Sequence, residues 1–597
     1  MTRQMVTAAA AVAFLGCGDN AWNSQDGCTS DSECAGGLSC ISGRCVSPDD
    51  GGLDGGDGGD DGGDARTDGP PGGCEPGEEP CRTICCAADE VCSEGACYLD
   101  VGCGDNDDCG NDSFCERGAC IPYEGEESDV PEGVFDESCA LEVTVEPFNP
   151  VLQCSYSDPP AGDPAPSHVQ VMSTPMVADL DLDDDPDTLR PSIVFSTFAG
   201  SAYSADGVLR IIDGGTCAHQ QTLGDAADRT VAASPVAIGD IRDGPRPEIV
   251  APASGGGVVA FGYDATSGSY RRVWRSGTCA TDGSRASDSY GAGSWAGVAI
   301  HDLDGTDPPE IVFAGIVYDA EGCIVTASLG YDSYSVGYVA VVADVDLDGR
   351  PELVRGNAIH ELDPATLDWV AEPYFAGAGL GAGQVAVADF GDFDVGLPDP
   401  SSIPEIAVVS RGTVRVQTIE GTVVFEATQP GGGTGGPPTA SDFDGDGRVE
   451  LAAAELSTYT VYDLDCQAGG DPARCGTGRS DGILWSQPSQ DASSNVTGSS
   501  LFDFEGDGAA EAVYADECYL RVYRGSTGEV IFSQARSSGT TYENPVVADV
   551  DGDYNSELLT SVNDYASGLG CAGTDPLFPE AAFAWGHGIR VFADASD

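Results

Sequence analysis

The chain has 597 residues, and its 25 basic residues, all arginine, stand against 100 Asp and Glu for a formal charge of -75. A surface this acidic repels phosphate backbones and anionic lipid headgroups, which argues against nucleic-acid or electrostatic membrane binding and leaves divalent cations as the natural counterpart. Five scattered histidines (His168, His219, His301, His360 and His587) argue against zinc or general-base chemistry built on His clusters, and 24 cysteines point to disulfides in an exported protein.

Residues 1–16 read as an export signal: Arg3 is its one charge, and the apolar run Met5 to Leu15 is too short to span a bilayer. The run ends in Phe14-Leu15-Gly16-Cys17, which resembles a bacterial lipoprotein cleavage box, with Phe14 where Leu is usual. That resemblance implies acylation of Cys17 and anchorage to the cell envelope, at the outer membrane or cell surface. Cysteines at 28, 34, 40 and 45 are spaced C-x5-C-x5-C-x4-C, and the spacing returns unchanged at 103, 109, 115 and 120. A related unit with six cysteines lies between them. Such small modules cannot bury a real core and need cross-links, so residues 17–47 and 74–122 are expected to be disulfide-rich. The Gly/Asp tract at 48–73 has almost nothing apolar to bury and reads as a self-repelling tether; 123–140 is a second linker.

From about Leu141 to the end, short Val, Ile and Ala runs alternate with Gly, Asp and Pro turns, the pattern of an all-β domain. A nine-residue frame recurs in it, with acidic residues at positions 1, 3, 5 and 9, beginning at Asp179, Asp240, Asp302, Asp344, Asp389, Asp442, Asp503 and Asp549. These aspartates lie 42 to 62 residues apart, enough for one four-stranded propeller blade each. Around Asp344, Val339 to Ala343 reads as the inner strand and Glu352-Leu353-Val354 as the return; after Asp503, Tyr519 to Tyr523 and Val530 to Ser533 supply the outer two. Eight motifs predict an eight-bladed β-propeller, with seven blades and a stray motif as the alternative. After Asp549 the chain reaches only a third strand, Ile589 to Phe592, while Val151 to Ser155 reads like the fourth strands Ile483 to Gln487 and Val530 to Gln534. The ring is therefore expected to close by joining both ends of the domain in one blade, which also removes open sheet edges.

Carboxylates at 1, 3, 5 and 9 suit a hard cation that takes six to eight oxygens, and a glycine at position 6 permits the tight turn. An EF-hand needs Glu at position 12, where Arg355, Ala453 or Thr560 stands here. On these residues, the stretch 141–597 resembles the FG-GAP and VCBS repeat families and the propeller of integrin α subunits. The resemblance implies calcium in the hairpin between the first and second strands of each blade. Its ligands would be Asp344, Asp346, Asp348 and Glu352; Asp442, Asp444, Asp446 and Glu450; Asp549, Asp551, Asp553 and Glu557; and, as close variants, Asp179, Asp181, Asp183 and Asp187, and Asp503, Glu505, Asp507 and Glu511. Asp302, Asp304 and Glu310 form a weaker site because Thr306 replaces a carboxylate. The second loop carries Arg242 and Gly244 and is expected to be empty, and Gly391 and an insertion before Glu405 interrupt the fifth.

The opposite face offers aromatic residues that could stack on sugars or anchor proteins: Tyr290, Trp295, Tyr331, Tyr334, Tyr338 and Tyr542. The sequence points to a surface-tethered, calcium-stabilised binding or adhesion module for cell-surface glycans or proteins, with no catalytic constellation. A polysaccharide lyase is the alternative, since eight-bladed calcium propellers resemble one group of these; it would have to use an Arg such as Arg355 or Arg411, a poor base. The strand pattern RVYRGSTGEVIFS also resembles repeats of quinone-dependent dehydrogenases and of an outer-membrane assembly lipoprotein, mostly without their tryptophan docking. Nine cysteines lie beyond the small modules, an odd number; Cys466 and Cys475 are the nearest pair.

Overall fold

A computed structural model describes short strands between residues 39 and 122, and then residues 148–594 apart from 184–187, 243, 245, 281–283, 289, 291–294, 307, 330–339, 378, 394–402 and 566–567. The chain divides into two compact units, one within Phe14–Thr144 and the other containing Val145–Asp597. In the first, Ser39–Ile41 pairs with Arg44–Val46, Glu90–Ser93 with Ala96–Leu99, and Ser113–Glu116 with Ala119–Pro122. The last C-x4-C of each repeated module thereby falls on directly opposed positions, Cys40 with Cys45 and Cys115 with Cys120. Among the described residues there is no helix, and none long and apolar enough to cross a membrane.

The second unit is an eight-bladed propeller. Seven sheets are antiparallel in simple chain order, the fourth for example Val341–Ala343, Glu352–Arg355, Ala358–Asp363 and Asp368–Ala371. In the eighth, Val546–Ala548, Glu557–Val562 and Gly588–Asp594 are completed by Pro150–Tyr156. The ring is thus closed by a strand from the start of the domain, with Arg590 opposite Ser155 and Val591 opposite Cys154. The expected closure and blade number are both observed. The first blade also carries the two short extra strands His168–Gln170 and Thr230–Val231.

Cores lie between blades, because each sheet is apolar on both faces and has a sheet on either side. Blades 5 and 6, for instance, enclose Ala386, Val409, Val414, Val416 and Phe425 against Leu451, Tyr462 and Ile483. Tryptophans on outer strands reach sideways: the indole N–H groups of Trp274, Trp369 and Trp485 donate to the carbonyls of Ala320 (2.7 Å), Gly315 (2.9 Å) and Gly525 (2.5 Å). Gly528 ends the Ser526-Thr527-Gly528 turn at φ 71°, and a Cβ there would come 2.6 Å from the Trp485 ring, so both the turn and the docking require glycine.

Four disulfides staple the propeller: Cys154–Cys217, Cys279–Cys323, Cys466–Cys475 and Cys518–Cys571. The first ties the closing strand to blade 1. All eight cysteines from residue 141 onward are therefore paired; the ninth beyond the small modules, Cys139, falls in the linker and lies outside the described residues.

Candidate metal centres

The acidic frames sit in hairpins between inner and second strands, and in six of them the register puts the position-9 Glu, and in the fifth Glu405 beyond the insertion, opposite the residue that precedes the first Asp. Ala343 faces Glu352, Ser441 faces Glu450 and Ala548 faces Glu557. The Glu points inward, and one of its oxygens accepts the N–H of position 2. This clasp forms at Ile241 (3.3 Å), Leu303 (2.9 Å), Val345 (2.8 Å), Phe390 (2.9 Å), Phe443 (2.7 Å), Phe504 (3.1 Å) and Val550 (2.8 Å). Position 2 is apolar because its side chain plugs the space between blades; Ile241, Leu303, Val345, Phe390, Phe443 and Val550 are all buried. The first Asp winds the loop, since Asp344 accepts from the amides of Asp348 (3.1 Å) and Gly349 (2.9 Å), and Asp442 from Gly445 (2.7 Å) and Gly447 (2.8 Å).

Among the described residues, carboxylates converge in four hairpins, one oxygen from each lying within 4.8 Å of the others: Asp302, Asp304 and Glu310; Asp344, Asp346, Asp348 and Glu352; Asp442, Asp444 and Glu450; Asp549, Asp551 and Asp553. Burial, then the neighbouring carboxylates, pushes five acids of these loops well upward. Glu352 and Glu557 rise to about 8, Glu450 to about 10, Glu310 to about 7 and Asp444 to about 6. Glu352 Oε1, Glu557 Oε1 and Asp551 Oδ1 are buried without a hydrogen-bond partner. Buried, unpaired acceptors gathered at one point are the chemistry a hard divalent cation satisfies, so the residues present fit such an ion.

Arginine enters three other hairpins. In the second loop Arg242 donates to Glu248 Oε1 through Nε (3.2 Å) and Nη2 (2.7 Å), and the guanidinium supplies the positive charge that the missing carboxylates would otherwise have recruited as an ion. In the first, Arg246 from the next blade donates to Asp181 Oδ2 (3.0 Å) while lying 3.6 Å from the Tyr263 ring centre; Asp179 accepts from the Asp181 amide, Asp183 is exposed, and Asp187 lies outside the described residues. In the seventh, Arg524 holds both oxygens of Glu505 (2.6 and 3.1 Å), while Asp503 and Asp507 stay on loop amides and Glu511 on Phe504. Similarly, Asp446 faces Arg474 at 3.5 Å, apart from the cluster of Asp442, Asp444 and Glu450. The fifth loop keeps a buried Glu405, raised to about 8, near Asp389. Sequence reasoning missed the arginine partners Arg246, Arg474 and Arg524, which come from other loops; Arg242, inside the motif, was visible.

On the opposite face the aromatic candidates separate. Tyr290 is exposed, and Tyr331, Tyr334 and Tyr338 lie outside the described residues. Trp295 stacks on Tyr203 (6.1 Å, 15°) and packs on a cluster with Met172, Phe198 and Tyr565. Tyr542 is buried, its hydroxyl 3.4 Å from the amide of Gln384 on the inner strand of blade 5. Its surroundings give it a packing role. The loops of this face are braced by buried ion pairs: Arg521 with Asp516 and Asp575 (both 2.6 Å), Arg210 with Asp163 (2.6 Å), and Arg536 with Glu543.

No protein-family model matches the chain, and no curated protein matches it in sequence. Among solved structures it is similar to the Vibrio cholerae biofilm matrix protein Bap1, with a TM-score of 0.55 and 17% identity over 75% of this chain and 91% of that one. At that identity the likeness shows the propeller fold alone. The rhamnogalacturonan lyase YesW matches with a TM-score of 0.33 and 16% identity over 67% of this chain and 60% of that one. A lectin of Agrocybe aegerita recognising non-reducing terminal N-acetylglucosamine matches with a TM-score of 0.30 and 15% identity over 57% and 93%. Likeness at those TM-scores carries no argument about this chain.

Proposed function

We propose that the chain is an exported, lipid-anchored propeller of the FG-GAP/VCBS kind, stabilised by calcium, that binds glycans or proteins at the cell surface. The observation that supports binding is the difference between the two faces. One carries the acidic hairpins, whose cations would pin turns. The other carries long loops held rigid by buried ion pairs such as Arg521 with Asp516 and Asp575, a preorganised surface of the sort recognition requires. Bap1, named for the biofilm matrix, is consistent with an adhesive role for such a ring. The acylated Cys17 and the tether at 48–73 would hold the propeller away from the membrane. The test is retention of the calcium-loaded mature chain on a glycan array and on cell-surface polymers and proteins. Retention that is lost when calcium is removed supports the reading; failure to retain any glycan or surface protein removes it.

A further inference from the structure

We propose that the cleft at the seam of blades 7 and 8 binds a neutral glycosyl residue. This rests on the glycan arm of the reading above and gives it a location. The cleft has a volume of about 420 Å³, at the small end of ligand pockets, which suits one or two sugar rings and not a folded partner. It opens beside the loop that joins the second and third strands of blade 8, hence on the face opposite the acidic hairpins.

Its chemistry is that of an amphipathic ring. Trp585 stands at the cleft with 43% of its surface exposed, steadied edge-on by Phe583 (5.1 Å, 85°), and offers a flat face for the C–H side of a pyranose. Leu152, also exposed, and Phe592 continue the apolar lining. Polar groups surround it. Asp564 is fixed by Gln170, which donates from Nε2 to Asp564 Oδ1 (2.6 Å) and accepts the Asp564 N–H (2.8 Å), and the other carboxylate oxygen faces His587 Nδ1 at 3.2 Å. The Arg590 guanidinium donates to the Ala535 carbonyl and lies against Gly586, where a Cβ would come within 2.5 Å of Nη2. Glycine keeps room for it. The exposed side chains of Gln534, Ser155 and Ser157 make no hydrogen bond to the described residues and can serve sugar hydroxyls.

Charge selects a neutral sugar. The single arginine of the lining is balanced by Asp564, and Asp158 lies 3.9 Å from His587 on a chain of formal charge -75, so a uronate would meet carboxylates. The lining also comes from both ends of the domain, Leu152 and Ser155 from the closing strand and Trp585 and Arg590 from near the end of the chain. A bound sugar would therefore hold the ring shut.

The test is calorimetric titration of the calcium-loaded mature chain with neutral and uronic oligosaccharides and with a peptide library, alongside Trp585→Ala and Trp585→Phe. Expected are binding of a neutral oligosaccharide, at least tenfold weaker binding for Trp585→Ala, partial retention for Trp585→Phe, and a ligand-dependent rise in melting temperature that is largest in the wild type, smaller in Trp585→Phe and smallest in Trp585→Ala. Neutral-glycan binding that survives Trp585→Ala overturns the site and leaves the proposed function standing. Preference for uronic glycans or for peptides, lost in Trp585→Ala, overturns the ligand assignment. Absence of any glycan binding by the wild type overturns the site together with the glycan reading.

Discussion

Replacing Glu352 by Gln separates an ion site from a mere acidic turn. The Glu352 carboxyl is fully buried, gives one oxygen to the Val345 N–H (2.8 Å), and leaves Oε1 without a partner among Asp344, Asp346 and Asp348. In the ion-free protein its pKa rises to about 8, by burial first and the three aspartates second. A raised acid binds its proton more tightly folded than unfolded, so it contributes stability that is full below pH ~4.5 and lost as the pH rises from there toward 8. At pH 7 the folded carboxyl still holds its proton while the unfolded one has released it, and keeping that proton costs the ion-free fold about 3 kcal/mol, from roughly 2.5 pH units at 1.36 kcal/mol each. Glutamine keeps the Val345 bond, carries no charge, and donates to the aspartates. With roughly 450 residues melting at ~2.1 cal/mol/K each, 1 kcal/mol shifts the midpoint by about 1 °C. Glu352→Gln should thus raise the ion-free melting temperature at pH 7 by about 3 °C, have little effect at pH 4.5, and lower the calcium-loaded midpoint by removing a charged ligand. Scanning calorimetry of dialysed and calcium-loaded protein reads all three. A variant less stable than wild type in both forms, by the same amount, would refute the reasoning.

Other substitutions probe the rest of the ring. Arg242→Ala leaves the buried Glu248 without its cation and should destabilise by about 2–4 kcal/mol; because positions 3 and 5 of that loop lack carboxylates, calcium should fail to restore the melt. Tyr554 sits at φ 71° in the last hairpin, 58% exposed, and Tyr554→Gly should stabilise by up to about 1 kcal/mol in denaturant unfolding, with calcium affinity unchanged. Removing Cys154–Cys217, whose ends are separated by 63 positions in sequence, through the double Ser variant should lower stability by about 4 kcal/mol and expose the closing strand to proteolysis sooner than blades 3 to 6.

The sequence by itself determined the repeat, the strand content and the closing partner, because these rest on local rules. An acidic frame followed by a return strand sets one blade, and a missing fourth strand at one end of the domain matches a spare strand at the other. Pro150–Tyr156 is found where the Val151 to Ser155 run suggested, beside Gly588–Asp594. Even the position-9 Glu was legible, since the clasp to position 2 is made within a single hairpin. Only the tertiary structure decided which hairpins gather free carboxylates and which are neutralised by arginine. Arg246 reaches Asp181 from the neighbouring blade, Arg524 reaches Glu505 from the turn that follows Tyr519–Tyr523, and the register of two chain segments, not the spacing within one, fixes those meetings. The same holds for the opposite face: Tyr542 looked like a ligand anchor and is packed against Gln384, whereas Trp585 carried no motif and stands exposed in a cleft. Local sequence specifies strands and turns; which side chains from distant blades share one small volume is set by closing the ring.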